Sequence, residues 1–243
     1  MRRTILIPLG LFVAGTPLAA EPASVRDFPI SGFTKLKVEG PYRVHVRTGG
    51  KAAAHARGPR DRLDRLVVEV RGDTLVVTSR NNGWSWGSGN KGPVDVDVAA
   101  PKIEAVRLTG SGNVDVDHVR AASFVASVAG SGNLSVARID TPRLSASVTG
   151  SGNLMLRGET GRADAEVTGS GNFEGAGLSV NLLTATVTGS GGLVVGPTRV
   201  ARAAVTGSGD IRIGGRPTCT ERKTGSGSIR CGDNQRATGG AGG

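Results

Sequence analysis

Residues 147–156 read Ser-Val-Thr-Gly-Ser-Gly-Asn-Leu-Met-Leu, and variants of this stretch recur along most of the chain. From Gly110 onward the central Gly-Ser-Gly, usually preceded by Thr and followed by Asn, recurs to give seven copies at steps of 18 to 20 residues. A fixed period of this length is typical of repeat proteins, in which each unit buries its apolar face against its neighbours. We call this tripeptide the Gly-Ser-Gly corner and predict that its glycines are structural turns: Gly110, Gly112, Gly130, Gly132, Gly150, Gly152, Gly169, Gly171, Gly189, Gly191, Gly207, Gly209, Gly225 and Gly227.

Apolar residues alternate with polar ones on both sides of each corner. Alternation with a period of two predicts two short strands per repeat, each with one buried face. The position two residues before the first glycine holds Leu108, Val128, Val148, Val167, Val187 and Val205, and the position four residues after it holds Val114, Leu134, Leu154, Phe173, Leu193, Ile211 and Ile229.

These patterns predict an all-β fold. We expect a β-solenoid, similar to a parallel β-helix, with about seven coils of 18–20 residues, preceded by a smaller β region. Glycine permits the positive φ of a tight corner, and the Asn residues after stacked corners would form a column whose side chains hydrogen-bond along the stack. An antiparallel row of hairpins, closed into a sandwich or a barrel, is the alternative. Nearly identical corners favour the stacking of like on like.

The sequence divides into four segments. We predict a signal peptide at 1–20, an N-terminal β region at 21–100, the repeat solenoid at 101–232 and a disordered glycine-rich tail at 233–243. In the N-terminal region, alternation at 33–46 and at 94–98 predicts strands, and 66–77 has the pattern of a hairpin. The basic segment 51–65 is predicted to be a loop.

The first twenty residues have the features of an export signal. Arg2 and Arg3 form a charged start, an apolar stretch follows, and Leu18-Ala19-Ala20 forms a small-residue cleavage site. The apolar stretch is too short for a bilayer, which requires about 20 residues. We therefore expect cleavage and no transmembrane segment in the mature chain.

Composition limits the class of partner. The chain carries a formal charge of +10 and contains 39 glycines among 243 residues. A basic exported protein favours anionic partners, although the same charge also maintains solubility. Basic residues interleaved with aromatic ones, as nucleic-acid recognition requires, are missing from the sequence. We expect no nucleic acid and consider glycans or envelope proteins the candidate partners.

Cys219 and Cys231 flank the last corner symmetrically, six residues before and six after Gly225. Both positions belong to predicted inward columns, and export places them in an oxidising compartment. We predict a disulfide across the final coil. A metal or redox pair is the alternative, but the spacing is not that of a Cys-x-x-Cys site. Glu221 and Lys223 also occupy apolar columns, which is tolerable where the end coil has an uncovered face.

No catalytic, cofactor or metal site is predicted. The sequence contains no H-E-x-x-H motif and no nucleotide-binding glycine motif followed by a helix. A calcium β-roll is disfavoured because only Asp210 places a carboxylate directly after a corner. His45 and His55 match no catalytic pattern.

The densest acidic group in the sequence contains Asp95, Asp97, Asp115, Asp117 and His118. Alternating Val-Asp-Val-Asp is the ordinary pattern of a half-solvated strand, and this is the reading we favour. The alternative is a polysaccharide-active enzyme, similar to a lyase on a β-helix, with the residues Asp115, Asp117 and His118 as its site.

The segment 80–92 is polar and contains both tryptophans of the chain. Trp84 and Trp86 could stack on sugar rings while Asn81 and Asn82 bond hydroxyl groups. Alternatively, the rings cover an open end or flank of the solenoid. These four residues are the predicted ligand-binding candidates.

Several segments in order resemble the head GIN domain family of putative autotransporter adhesins. They are Phe-Thr-Lys-Leu-Lys-Val-Glu-Gly at 33–40, Tyr-Arg-Val-His-Val at 42–46, Val-Asp-Val-Asp-Val-Ala-Ala-Pro at 94–101 and the repeated Thr-Gly-Ser-Gly-Asn. The resemblance covers residues 28–231 and implies an exported bacterial β-solenoid without catalytic residues. Only a short glycine-rich segment follows the repeats here, so we expect a periplasmic rather than a surface or extracellular location.

The function expected from the sequence is a non-catalytic binding, adhesion or scaffold surface in the cell envelope. Stacked hydroxyl and amide side chains suit weak, multivalent contact with glycans or envelope proteins.

Overall fold

The computed structural model describes residues 24–80 and 92–233. Within these ranges the chain forms seventeen strands and one short helix, and no helix there is long and apolar enough to cross a membrane. The elements are β1 (Ser24–Phe28), β2 (Lys35–Glu39), β3 (Arg43–Thr48), β4 (Ala53–Gly58), α1 (Arg60–Leu63), β5 (Leu66–Arg71), β6 (Thr74–Ser79), β7 (Asp95–Ala100), β8 (Ala105–Gly110), β9 (Asn113–Arg120), β10 (Phe124–Gly130), β11 (Asn133–Gly150), β12 (Asn153–Gly169), β13 (Asn172–Gly175), β14 (Leu178–Gly189), β15 (Gly192–Gly207), β16 (Asp210–Thr224) and β17 (Ser228–Cys231).

Successive coils stack in parallel, and the predicted β-solenoid is confirmed, with about six turns. Leu134 is in register with Leu154, and Phe173 lies between Leu154 and Leu193 in the same column. Equivalent residues therefore stand directly above one another, which the antiparallel alternative would not produce.

Each corner is bonded to the corner of the preceding coil through the backbone. The Gly130 carbonyl oxygen accepts hydrogen bonds from the N–H groups of Ser151 and Gly152, both at 2.9 Å. Gly150 has a φ of 107°, a conformation that L side chains rarely adopt. A Cβ on Gly152 would lie 2.8 Å from Val128 Cγ1 and would also collide with the Gly132 carbonyl oxygen. The two glycines thus serve different needs: the first provides the turn, and the second allows close stacking.

A third apolar face, which the sequence analysis missed, completes each coil. In the coil of β11, burial alternates along Leu134 and Val136, then along Ile139 and Thr141, and then resumes at Leu144. The columns of this third face mix residue types, because Gly158 pairs with Ile139 and Val180 pairs with Thr160. The buried Thr hydroxyls donate to nearby backbone carbonyls, as Thr141 does to Arg143 at 3.1 Å. These threonines therefore resemble exposed polar residues in the sequence pattern, although their side chains line the core.

The N-terminal β region continues the solenoid. Strand β2 pairs in parallel with β8, and β3 pairs in parallel with β9, so these two strands form a coil beneath the first repeat. Gly40 has a φ of 118° and its N–H donates to the Thr109 carbonyl at 2.9 Å. Gly40 thus occupies the place of a corner glycine. The division into domains at residue 100 remains a prediction.

Strands β6 and β7 pair in parallel with β2 and β3 and extend the stack by one coil, which we call the N-terminal coil and which antiparallel strands cover. Strand β4 pairs with both β1 and β7, and β5 forms the predicted hairpin with β6. Segment 51–65 was predicted to be a loop, and this is wrong for Ala53–Gly58, which is strand β4. Its Ala54 and Ala56 are fully buried, but alanine carries too weak a β signal to predict a strand.

The other end of the stack is closed by a disulfide between Cys219 and Cys231, whose Cα atoms lie 6.6 Å apart. This prediction is confirmed. Glu221 and Lys223 are in register with the buried Ala203 and Val205, yet both are exposed. Because no strand follows them in these columns within the described residues, charged side chains there remain in water.

Replacing the second glycine of a central corner should destabilise the solenoid. We expect Gly152→Ala to lower the free energy of unfolding by about 1–3 kcal/mol, because the new methyl group overpacks the interface between two coils. Urea titration measures this change. The matched control is Gly32→Ala, where a Cβ would meet nothing within 4 Å. Equal midpoints for the two variants would contradict the stacking constraint.

Removing the disulfide should also weaken the fold. A Cys219→Ala/Cys231→Ala double variant should lose about 2–4 kcal/mol, because the unfolded chain is no longer cross-linked. The unreduced wild-type protein should contain no titratable thiol. A double variant as stable as the oxidised protein would show that the bridge does not contribute to closing the stack.

Candidate binding surface

The predicted ligand-binding residues Trp84, Trp86, Asn81 and Asn82 lie outside the described residues, as do the predicted signal peptide and residues 234–243. The segment that carries the tryptophans connects β6 to β7, two strands of the N-terminal coil.

An asparagine ladder runs along the outer face at the residue after each corner. Asn133 Nδ2 donates to Asn113 Oδ1 at 2.9 Å, and Asn153 Nδ2 donates to Asn133 Oδ1 at 2.8 Å. Asn172 extends the ladder at 3.1 Å. Each amide in the middle both donates and accepts, so the ladder fixes the orientation of the side chains. The predicted column of Asn side chains is thus present.

The ladder changes character at Gly192, which has no side chain. Asn172 Oδ1 accepts from the Gly192 N–H at 3.2 Å, and Asp210 follows in the next coil. The hydrogen bond from the Ser228 hydroxyl lowers the pKa of the Asp210 carboxyl. An open cavity of about 280 Å³ forms here, lined by Glu174 and Arg212 among others. The site offers acceptors and one cationic donor to a polar ligand.

A second open cavity lies near the C-terminal end of the stack, where residues from Ala176 to Asp233 on successive coils line it. Its volume is about 460 Å³, and its lining includes Arg212, Arg230 and the backbone of several glycines. Arg212 and Arg230 are in register on adjacent strands. Asp233 also lines the cavity, and its carboxylate accepts from the Gly215 N–H at 3.0 Å. The cavity therefore presents mixed charge.

A second face of the solenoid carries a column of hydroxyl groups. Ser147 donates to Ser127 at 2.9 Å, and the position before the corner holds Thr at most coils. These threonines are in register and partly or fully exposed: Thr149, Thr168, Thr188, Thr206 and Thr224. This face provides closely spaced hydroxyl groups to solvent.

The predicted acidic group lies on the outside of the sheet formed by β7, β3 and β9. Asp117 accepts hydrogen bonds from the backbone N–H of Thr48 at 3.0 Å and from its hydroxyl at 3.1 Å. The His118 ring is half-buried, and among the described residues its Nε2 atom has no hydrogen-bond partner. Asp117 therefore ties two strands together, a structural role that occupies its carboxylate.

The structure also places His45 and His55 in this acidic group. Residues from five adjacent strands form one row, which we call the Asp-His file: Asp27, His55, Asp97, His45 and Asp115. His55 Nδ1 lies 2.5 Å from Asp27 Oδ1, and His45 Nδ1 lies 3.6 Å from Asp115 Oδ2. The file alternates carboxylate and imidazole across the sheet.

A signal for half of this file is present in the sequence. His45 lies five residues after Gly40, and Asp115 lies five residues after Gly110. If Gly40 is counted as a corner glycine, His45 and Asp115 occupy equivalent positions of successive coils. His55 gives no such signal, because it reaches the file through the antiparallel pairing of β4 with β7.

Two arginines flank the file. Arg43 Nη1 lies 3.0 Å from Asp95 Oδ1, and Arg57 Nη2 lies 3.3 Å from Asp97 Oδ2. All four side chains are partly exposed, so these ion pairs add little stability. Their effect is to hold carboxylates in place and to offset part of the negative charge.

Glu221 approaches the closing disulfide, and its carboxylate lies within 4.8 Å of both sulfur atoms. The sulfurs are bonded to each other, so they are not available as thiolate ligands in this state. Cys219, Cys231 and Glu221 therefore form part of the C-terminal end of the stack.

Comparisons with known proteins give a consistent assignment. The family model described as "Putative auto-transporter adhesin, head GIN domain" matches residues 32–217. No curated protein matches the chain.

Solved structures share the fold. A putative adhesin from Bacteroides fragilis NCTC 9343 superposes with a TM-score of 0.78 at 22% identity, covering 87% of this chain and 97% of that one. A structure described as a putative lipid binding protein from Parabacteroides distasonis ATCC 8503 gives 0.68 at 20%, covering 86% and 96%. A putative adhesin from Parabacteroides merdae ATCC 43184 gives 0.62 at 18%, covering 86% and 96%. With most of its solenoid matched by the family model, the chain belongs to the head GIN domain family of putative auto-transporter adhesins.

Proposed function

We propose that this protein is an exported, non-catalytic binding protein of the cell envelope, resident in the periplasm, whose outer sheet faces contact glycans or envelope proteins. The observation that carries the proposal is the in-register repetition of exposed polar side chains, above all the asparagine ladder from Asn113 to Asn172. The names given to relatives in the same fold, adhesin and lipid-binding protein, also describe binding rather than catalysis.

Repetition suits a repeating ligand. Neighbouring strands lie about 4.8 Å apart, so equivalent amides and hydroxyls recur at that interval along the stack. A chain of sugar units presents hydroxyl groups at many points along its length, and several weak contacts combine into useful avidity. A flat, wet surface of this kind gives modest affinity at any one point.

The exposed surface favours a polar ligand over an acyl chain. The large hydrophobic residues exposed among the described part of the chain are Val25, at 62%, and Met155, at 37%. Val25 lies on β1 and Met155 on β12, far apart in the stack. A lipid would therefore be bound through its headgroup, since a contiguous apolar patch would be needed to hold its tail.

The acidic group is better suited to binding than to hydrolysis. Asp117 is hydrogen-bonded to Thr48, and Asp115 faces an imidazole on the open exterior of a sheet. Hydrolysis of a glycosidic bond ordinarily requires two positioned carboxyl groups that flank the bond to be cleaved. An exposed exterior sheet face does not provide that enclosure.

The tryptophan segment is the proposed point of strongest contact. Indole rings stack on the apolar faces of sugars, and the neighbouring Asn81 and Asn82 supply donors and acceptors. In the sequence the segment lies between β6 and β7.

A glycan array tests this proposal. We expect wild-type protein to bind a subset of glycans and Trp84→Ala/Trp86→Ala to lose most of the signal, because stacking on each ring contributes strongly to the contact. An Asn133→Ala/Asn153→Ala variant, which interrupts the ladder, should weaken binding less. Equal signals from wild type and the tryptophan variant would exclude the tryptophan segment. Binding to neither glycans nor an envelope extract would overturn the function.

A further inference from the structure

We propose that the cavity beside Arg212 and Arg230 binds a phosphate group, carried either by a lipid headgroup or by a soluble phosphate ester. The cavity is open, has a volume of about 460 Å³ and is lined by both arginines. Arg212 and Arg230 are in register on the adjacent strands β16 and β17. A guanidinium group presents a planar set of N–H donors that matches the oxygen atoms of a phosphate. The donors of this cavity therefore suit an oxyanion.

The positive charge at this end of the stack is not neutralised by ion pairs within the protein. Residues 175–233 contain seven basic side chains and three acidic ones, whereas residues 101–174 contain seven basic and eight acidic ones. Along the described part of the chain, the last ion pair joins Arg162 to Asp164 at 3.3 Å. The seven basic residues that follow therefore have no carboxylate within ion-pair distance. They are Arg199, Arg202, Arg212, Arg216, Arg222, Lys223 and Arg230.

The two arginines of the cavity stand side by side with no protein anion between them. Neighbouring strands are about 4.8 Å apart, and like charges placed next to each other on a sheet repel. The other in-register neighbour of Arg212 is the uncharged Val194. Asp210 is held by the Ser228 hydroxyl and does not line this cavity. An anion from outside the protein would relieve the repulsion.

Small residues leave the floor of the cavity open. The position seven residues after the first glycine of a corner holds Arg157 in an earlier coil. In the last four coils the same position lines the cavity and holds Ala176, Gly196, Gly214 and Gly232. The space beside the two arginines therefore results from a column that lacks long side chains.

A carboxylate of the protein already lies in this cavity. Asp233 Oδ2 accepts a hydrogen bond from the Gly215 N–H at 3.0 Å, and a Cβ on Gly214 would lie 3.4 Å from Asp233 Oδ1. The floor thus accommodates anionic oxygen atoms. A phosphate group bound beside the arginines would compete with Asp233 for this N–H and would be repelled by its charge.

Titration of the full exported chain with inorganic phosphate, followed by amide NMR, tests the site. Sodium chloride holds the ionic strength constant, so that general screening does not change during the titration. We expect saturable shifts of the Gly214, Gly215 and Gly232 amide signals. Arg212→Gln and Arg230→Gln should each weaken phosphate binding roughly fivefold or more, because each removes charge-assisted hydrogen bonds.

Two further variants separate a specific site from a diffuse positive surface. Arg202→Gln is the matched control, because it removes the same charge from an exposed arginine of β15 that does not line the cavity. It should bind phosphate as wild type does. Asp233→Asn should tighten binding about twofold or more, since it keeps the shape of the side chain and removes the competing charge.

Three results would overturn the proposal. They are shifts that do not saturate, equal phosphate affinity of wild type and Arg212→Gln, and a loss in Arg202→Gln as large as that in Arg212→Gln. Thermal unfolding of each variant shows whether the solenoid is intact. The titration and the glycan array probe different residues, so either proposal can fail without the other.

Sedimentation with lipid vesicles distinguishes the two sources of the phosphate group. Binding to vesicles that contain phosphatidylglycerol, with no binding to phosphatidylcholine alone, would assign the group to an anionic lipid headgroup. This binding should be lost in the double variant Arg212→Gln/Arg230→Gln, and vesicle binding that the double variant retains in full would contradict a role of the cavity. Saturable binding of inorganic phosphate without vesicle binding would assign the site to a soluble phosphate ester.

Discussion

The carbonyl oxygen of the first glycine in a corner accepts hydrogen bonds from two N–H groups of the next coil, and the structure depends on this contact. At Gly110 the donors are Ser131 and Gly132, at 3.0 and 2.9 Å. The contact brings two backbones so close that a Cβ on the second glycine would collide with the coil below. The corner also fixes the register of the strands on both sides of it, since a slip of one residue would turn every apolar side chain outward.

Because the register is fixed, equivalent residues of successive coils stack into columns. Inside, Leu134, Leu154 and Phe173 stack into a continuous core. Outside, the same repetition produces the asparagine ladder, the hydroxyl column and the Asp-His file. Most surface features of the protein are therefore consequences of stacking, because any side chain at a given position is placed beside its equivalents in the neighbouring coils.

The two ends of the stack are protected in different ways. Antiparallel strands β1, β4 and β5 cover the N-terminal coil, while the disulfide and the exposed charges of Glu221 and Lys223 close the last one. A solenoid has two open sheet ends, and each is a site where another chain could pair. The irregular parts of the sequence are concentrated at these ends, where the repeat no longer provides a neighbour.

The sequence alone determined the coil length, the glycine corners, two of the three inward faces and the cysteine pair, because each of these is a local pattern repeated at a fixed period. It did not indicate the third face, since Gly158 interrupts the apolar column that Ile139 and Leu178 share, and Thr160 lies beside Val180 in the next column. Only the tertiary structure decided which residues of different strands meet. His55 and Asp97 are 42 positions apart in the sequence, and the antiparallel pairing of β4 with β7, which carries no periodic signal, brings them into one row.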